Sequence, residues 1–264
     1  MSRREGTYLD RILEFHRARA AADRRDIGEL LERAASLPPT RRFESRLRTD
    51  SKSSLAVISE VKRRSPSKGD LAADLDPAAL ARAYESGGAS CLSVLTDEPH
   101  FGGSPADLRM AREATGMPVL RKDFTVSDLD VVDARLMGAD CVLVIAAALR
   151  AEEMAHFIEI ARRVDLDTLV EIHDEAELEV ALSIGATLVG VNQRDLVTFE
   201  VDHERAVRMA AEIPRSVIRV AESGVRHRDD VVSLRAAGYD AVLVGETLVR
   251  SADPAGAIRS LRVS

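Results

Sequence analysis

Short apolar runs alternate along this chain with polar loops and with stretches whose apolar residues recur at helical spacing. Runs at 55–62, 90–96, 118–124, 141–147, 168–173, 188–193, 217–223 and 241–246 read as strands. The segments between them carry helix signals. Asp76-Pro77, Ser104-Pro105 and Asp253-Pro254 each set a capping residue before a first-turn proline. Asp174 with Glu177 has the spacing of a capping box, and Gly138, Gly185 and Gly238 stand where helices should stop. Leu129, Val132 and Leu136 form one helical stripe, and Met154, Ile158 and Ala161 another. Strand starts fall roughly 20–35 residues apart, the repeat of parallel βαβ units. Eight such units predict an α/β fold, a (β/α)8 TIM barrel. A doubly wound open sheet is the rival, but the GxGxxG turn usual after its first strand is absent. Upstream, Leu9, Ile12, Leu13 and Phe15, then Ile27, Leu30 and Leu31, predict one helix over 7–36, ended by Pro38-Pro39. The expected organisation is one barrel domain over 1–264, with residues 1–50 as an N-terminal helical extension packed over one end.

Composition narrows the class. With 45% hydrophobic and 31% charged residues the chain is globular, and with 3% aromatics and no Trp its core must be mostly aliphatic. A formal net charge of −7 argues against nucleic acid or a membrane surface as partner. Cys91 and Cys141 each sit in an apolar run and read as buried thiols of a reducing cytosol. No apolar run is long enough to span a membrane, and the N-terminus lacks a secretion-signal core, so a cytoplasmic location is expected.

The candidate chemistry lies where a barrel keeps its active site, at the C-terminal ends of the strands. Glu60 and Lys62, two apart, point to one face of the first strand, and a buried charge pair there is costly unless used. Arg63, Arg64, Ser65 and Ser67 follow in a loop rich in anion-binding groups. Arg121, Lys122 and Asp123 end the third strand, Glu171 and His173 the fifth, and Asn192 and Arg194 the sixth. Glu222, Ser223 and Gly224 end the seventh, and Gly245 and Glu246 the eighth. Three carboxylates (Glu60, Glu171, Glu222) and three cations (Lys62, Lys122, Arg194) thus converge on one rim, where they perturb each other and mark a site. Gly224 and Gly245 stand where such barrels bind phosphate through backbone N–H groups, with Ser65 to complete the cradle. Other signals are weak. Ser65 to Lys68 matches S-x-x-K without its companion motifs. The histidines show no ligand spacing, so no metal site is expected. Asp97 and Glu98 read as solvated loop charges, Arg63 and Arg64 as solvated cations, and His173 as packed or solvated. Phe101 reads equally as a cover for an aromatic substrate or as a local loop contact.

These segments together resemble the indole-3-glycerol-phosphate synthase family. The resemblance runs through SEVKRRSPS (59–67), SVLTDEPHFGGS (93–104), LRKDF (120–124), VEIHDE (170–175), GVNQRDLVTFEVD (190–202), AESGV (221–225) and VGETL (244–248). It implies a cofactor-free and metal-free lyase of tryptophan biosynthesis, a carboxy-lyase. Its small, phosphorylated aromatic substrate would be 1-(2-carboxyphenylamino)-1-deoxyribulose 5-phosphate. By motif, Lys122 is implied as general acid and Glu171 as acid/base in the later dehydration. Glu60 and Lys62 are implied as the strand-one catalytic pair, and Asn192, Glu222 and Ser223 as further catalytic-site residues. Arg194 is implied in substrate binding, beside which Phe101 is placed on its loop position alone, and Ser65, Gly224, Gly245 and the Glu246 N–H are implied in holding phosphate. The expected state is a monomer or weak homo-oligomer. Gln193 and Asp195 depart from the usual strand-six motif, and Asp195 sets a negative charge beside Arg194. A phosphosugar isomerase and a non-catalytic binding subunit are rival readings. The extension and LRKDF disfavour the first, and the complete Lys/Glu set disfavours the second.

Overall fold

The computed structural model describes residues 7–65, 68–195 and 200–263. Ser67 of the strand-one loop and residues 196–199 of the strand-six motif lie outside them. Eight parallel strands close into a barrel: β1 (Ala56–Val61), β2 (Cys91–Leu95), β3 (Val119–Lys122), β4 (Cys141–Ile145), β5 (Asp167–Ile172), β6 (Leu188–Asn192), β7 (Ile218–Glu222) and β8 (Ala241–Val244). β8 returns to β1 with Ala56 opposite Ala241, and β1 pairs with β2 through Ile58 and Cys91. Asp76, Ser104 and Asp253 cap their helices as predicted. Asp174 caps the helix Glu175–Ser183, but Glu177 departs from a capping box and bonds the backbone N–H of His173, one residue earlier (2.7 Å). Among the described residues no helix is long and apolar enough to cross a membrane.

Strand alternation sorts the core into two layers. Ala56, Ile58, Cys91, Leu120, Cys141, Leu143, Leu169, Leu188, Val220 and Leu243 fill the barrel. Val57, Val94, Val119, Val142, Val170, Val189, Ala221 and Val242 face the helices. Because side chains alternate with period two, the residue two beyond each barrel-filling position also points inward, one layer nearer the mouth. Ile58 is thereby followed by Glu60, Leu120 by Lys122, Leu169 by Glu171, Val220 by Glu222 and Leu243 by Gly245. Arg121 has the opposite parity. It lies under the helix Asp128–Met137, donating to the Asp130 carbonyl (2.7 Å) and pairing with Asp123 (2.8 Å). Both cysteines are free and fully buried, and burial pushes both thiols up, so they serve as packing.

The extension differs from the single expected helix. It comprises α1 (Tyr8–Ala22), α2 (Ile27–Ala35) and α3 (Phe43–Asp50). Asp26 caps α2 and so breaks the run. α3 plugs the barrel floor with Phe43 and Leu47, each fully buried among the barrel-filling residues. Each such burial contributes roughly 1.5–3 kcal/mol. The backbone N–H groups of Thr40, Arg41 and Glu44 bond Asp165 (3.0 Å), Asp140 (2.7 Å) and Asp167 (2.8 Å) beneath β4 and β5. α1 runs over the opposite end, the mouth, so the extension holds both ends of the barrel. Its buried face is also not the purely apolar stripe expected: Phe15 is 43% exposed, while His16 is wholly buried.

Two loop expectations are corrected. Asp97 is 1% exposed and is bonded by His16 and His100; Glu98 is exposed as expected. Arg63 is not a solvated cation, because it pairs with Asp107 (2.8 Å) and donates to the Leu75 carbonyl (2.5 Å). Arg64 donates to the Pro99 carbonyl (2.6 Å), and Arg64–Ser65 pairs with Gly69–Asp70 in a small antiparallel hairpin that no sequence pattern announced.

Candidate active site

A cavity of about 840 Å³ opens at the C-terminal end of the barrel. Each catalytic or binding residue expected from the sequence lines it: Glu60, Lys62, Ser65, Phe101, Lys122, Glu171, Asn192, Arg194, Glu222, Ser223, Gly224, Gly245 and Glu246; Arg121 and His173 do not. At its centre Lys122 Nζ lies 2.8 Å from Glu171 Oε2 and 3.5 Å from Glu222 Oε2. Lys62 pairs with Glu60 on the adjoining wall. Asn192 Nδ2 donates to the other oxygen of Glu171 (3.0 Å), and His173 Nε2 stands 3.6 Å from that same oxygen. His173 Nδ1 in turn meets Glu177 (3.1 Å), so this histidine backs Glu171 and is neither solvated nor idle packing. Burial lowers its pKa, but the carboxylates of Glu177, Glu171 and Glu222 prevail and raise it.

The same contest separates the two central carboxylates. Burial raises the pKa of Glu171, but Lys122, His173 and the Asn192 amide outweigh it and hold the group below its ordinary range. Burial also raises the pKa of Glu222. Lys122 opposes this, but the neighbouring charges of Glu171 and Glu60 add to it, and the net shift is upward. Lys122 is held above its ordinary value because Glu171, Glu222 and Glu60 outweigh the cost of burying its charge. The site therefore sets a carboxyl group held toward its ionised form, a carboxyl group pushed toward its protonated form and an ammonium within one layer. Opposed pKa shifts of this kind assign acid and base roles within one cavity.

Two glycines make room for this layer. A Cβ on Gly190 would collide with Glu222 Oε1, which is buried without a partner. A Cβ on Gly245 would collide with Glu60 Oε1 and lie 3.2 Å from Lys62 Nζ. Sequence reasoning missed Gly190, because a glycine inside a strand carries no chemical signal of its own. It also gave Gln193 no role. That side chain is 2% exposed and donates to the Ser223 carbonyl (2.8 Å), bracing a turn where Ser223 and Gly224 both have positive φ (66° and 79°). Ser65 Oγ is buried without a partner beside this end of the cavity. Lys68, Arg226 and Arg250 add cations to the lining. The wall between these groups is apolar: Leu95, Phe124, Leu143 and Ile145 from the barrel, and Tyr8, Leu9 and Ile12 from α1. β4 presents no ionisable group there.

The arrangement suits a substrate with an anion at each end and an apolar middle, on which protons are both given and taken. The residues of the central layer are all organic acid–base groups, and the chemistry available to them is proton transfer. A family model described as indole-3-glycerol phosphate synthase matches residues 9–261. An indole-3-glycerol phosphate synthase of Streptomyces coelicolor is 49% identical over 255 residues, covering 96% of this chain and 94% of the relative. One of Mycobacterium avium is 47% identical over 257 residues, covering 97% and 93%. Among solved structures, a thiamine phosphate pyrophosphorylase from Pyrococcus furiosus superposes with a TM-score of 0.60 at 17% identity, over 78% of this chain and 93% of that one, a likeness of fold alone.

Proposed function

The chain belongs to the indole-3-glycerol phosphate synthase family, and from that premise we propose that it converts 1-(2-carboxyphenylamino)-1-deoxyribulose 5-phosphate to indole-3-glycerol phosphate, CO2 and water. In this reading it is a carboxy-lyase of tryptophan biosynthesis. The observation that carries the mechanism is the position of Lys122 Nζ, shared between Glu171 and Glu222, whose pKa values are pushed in opposite directions.

The reaction needs three proton movements. The ring carbon bearing the carboxylate attacks the ketose carbonyl, and the carbonyl oxygen takes a proton as the C–C bond forms. Lys122 supplies it, held charged by its carboxylate neighbours. Loss of CO2 returns the electron pair to the ring. The new hydroxyl then leaves as water on taking a second proton, while a base removes one from the former side-chain carbon to complete the pyrrole. Glu171, kept ionised, is the base, and its hydrogen bond from Asn192 fixes which oxygen is available. Glu222, kept protonated, is the proton reserve. Lys62 neutralises the departing carboxylate and is itself oriented by Glu60.

Orientation accounts for the rest of the lining. Clamping the phosphate at Ser65, Gly224, Gly245 and the N–H of Glu246, with the aromatic ring on the apolar wall near Phe101 and Arg194, brings the carbonyl against the ring carbon. Such intramolecular positioning alone is worth several kcal/mol of barrier, up to about 7–11 kcal/mol in the best cases. Incubation of the purified protein with the anilino-deoxyribulose phosphate should develop indole absorbance and fluorescence. A folded sample that produces neither would overturn the proposal.

A further inference from the structure

Helix α1 contributes Tyr8, Leu9 and Ile12 to the apolar wall of the cavity, although it lies outside the barrel. At the surface Arg17 reaches Glu153 and the Ala148 carbonyl and Arg19 reaches Asp130, but such exposed pairs hold a helix weakly, and an isolated helix of this length is marginal in water. Its buried tether is a polar cluster in which sequence positions 16 and 97 meet. His16 Nε2 lies 2.8 Å from Asp97 Oδ2, and both side chains are fully shielded from solvent. Asp97 also receives the backbone N–H of His100 (2.7 Å) and stands 3.0 Å from His100 Nδ1. Burial raises the pKa of this carboxyl, but the bonds from His16 and His100 outweigh it and bring it down to about 2. An ionised carboxylate only accepts, so His16 donates to it through Nε2–H. Nδ1 of the same ring is buried with no partner.

The rings around this cluster continue into the cavity. Tyr8 meets His100 edge-on (6.2 Å between centroids), His16 lies 5.3 Å from Phe124, and Phe124 lies 6.2 Å from Phe101. We infer that His16, Asp97 and His100 form a clamp that positions α1 as one wall of the aromatic end of the substrate cavity, so that His16 and Asp97 are positioning residues for the proposed reaction. The inference rests on the function proposed above. The three side chains also lie close enough together to surround a cation. A metal on His16 Nε2 would drive the ring proton onto Nδ1, where no acceptor exists, and the hydrogen-bonded clamp avoids that cost.

The test compares His16→Leu, which removes the donor, with His16→Gln, whose amide replaces it. His16→Leu should raise KM by about 10-fold or more, the scale of one hydrogen bond to a charged group, with kcat little changed, and should speed hydrogen exchange in residues 8–22 but not in the barrel helices. His16→Gln should restore both. Asp97→Asn, which preserves shape, should reproduce the His16→Leu pattern and covers the case that the leucine variant does not fold. Added zinc should alter neither exchange nor KM. The clamp is overturned if exchange of α1 quickens while KM stays fixed, if the leucine and glutamine variants behave alike, or if zinc slows α1 exchange in the parent protein but not in His16→Leu. Failure of the parent protein to turn over would instead refute the proposed function; the clamp would still be read from exchange and from affinity for a ketone-reduced substrate analogue.

Discussion

Gly190 is the socket for Glu222: on neighbouring strands, the missing side chain of one provides the space taken by the carboxylate of the other. Gly190→Ala should therefore push Glu222 out of its layer toward Lys122. The expected result is a fall in kcat of at least ~10-fold, with a loss of about 1–3 kcal/mol in stability from overpacking. Steady-state kinetics together with a denaturant melt would check both, and an alanine variant with unaltered kcat would show that Glu222 needs no fixed position.

Lys122→Ala and Glu171→Gln should each slow turnover by at least ~10²-fold, the usual scale for acid–base groups. Lys122→Arg should not rescue, since a planar guanidinium cannot take the place of an ammonium held 2.8 Å from Glu171 and 3.5 Å from Glu222. Near-parental rates in Lys122→Ala and Glu171→Gln would remove both from the mechanism.

Glu222 and Glu171 make opposite contributions to the pH dependence of stability. The folded pKa of Glu222 is raised above the ordinary glutamate value of 4.5, so the folded state binds its proton more tightly than the unfolded state does. Stability is then lost as pH rises from that value through the raised one. The folded pKa of Glu171 is lowered, so its contribution is present above 4.5 and is lost as pH falls. Glu222→Gln should remove the loss between pH 4.5 and about 8, raising the melting temperature near pH 9 relative to the parent while leaving the acid limb in place. A variant whose melting temperature falls over that window as the parent's does would contradict this, and the same substitution should impair turnover.

At the other end of the cavity, Gly245→Ala should raise KM, because the added Cβ meets Glu60 and crowds Lys62. Ser65→Ala should raise KM by roughly 5-fold, the scale of one ordinary hydrogen bond. Both should weaken competitive inhibition by inorganic phosphate. Phosphate inhibition unchanged in both variants would place the anion elsewhere in the cavity.

The barrel and its inward-facing charged layer were legible in the sequence for one physical reason. A strand of period two that fills the barrel at Leu120, Leu169 and Val220 must also turn Lys122, Glu171 and Glu222 inward. The same rule removes Arg121, which alternation sends to the helix side. Three features stayed hidden because they depend on contacts remote in sequence. His16 lies in an amphipathic helix, where apolarity favours Phe15 for the buried face; only the distant Asp97 makes a histidine the better buried residue. Gly190 matters through a side chain on another strand, and Gln193, which looked like a departure from a motif, braces the Ser223 turn.

The floor plug is keyed to closure of the barrel. α3 packs Phe43 and Leu47 among side chains from β1, β2, β7 and β8, so its seat exists only once the last strand has closed on the first. A barrel left open between β8 and β1 has no seat for Phe43 and Leu47, so the burial of these two side chains is itself a mark of closure.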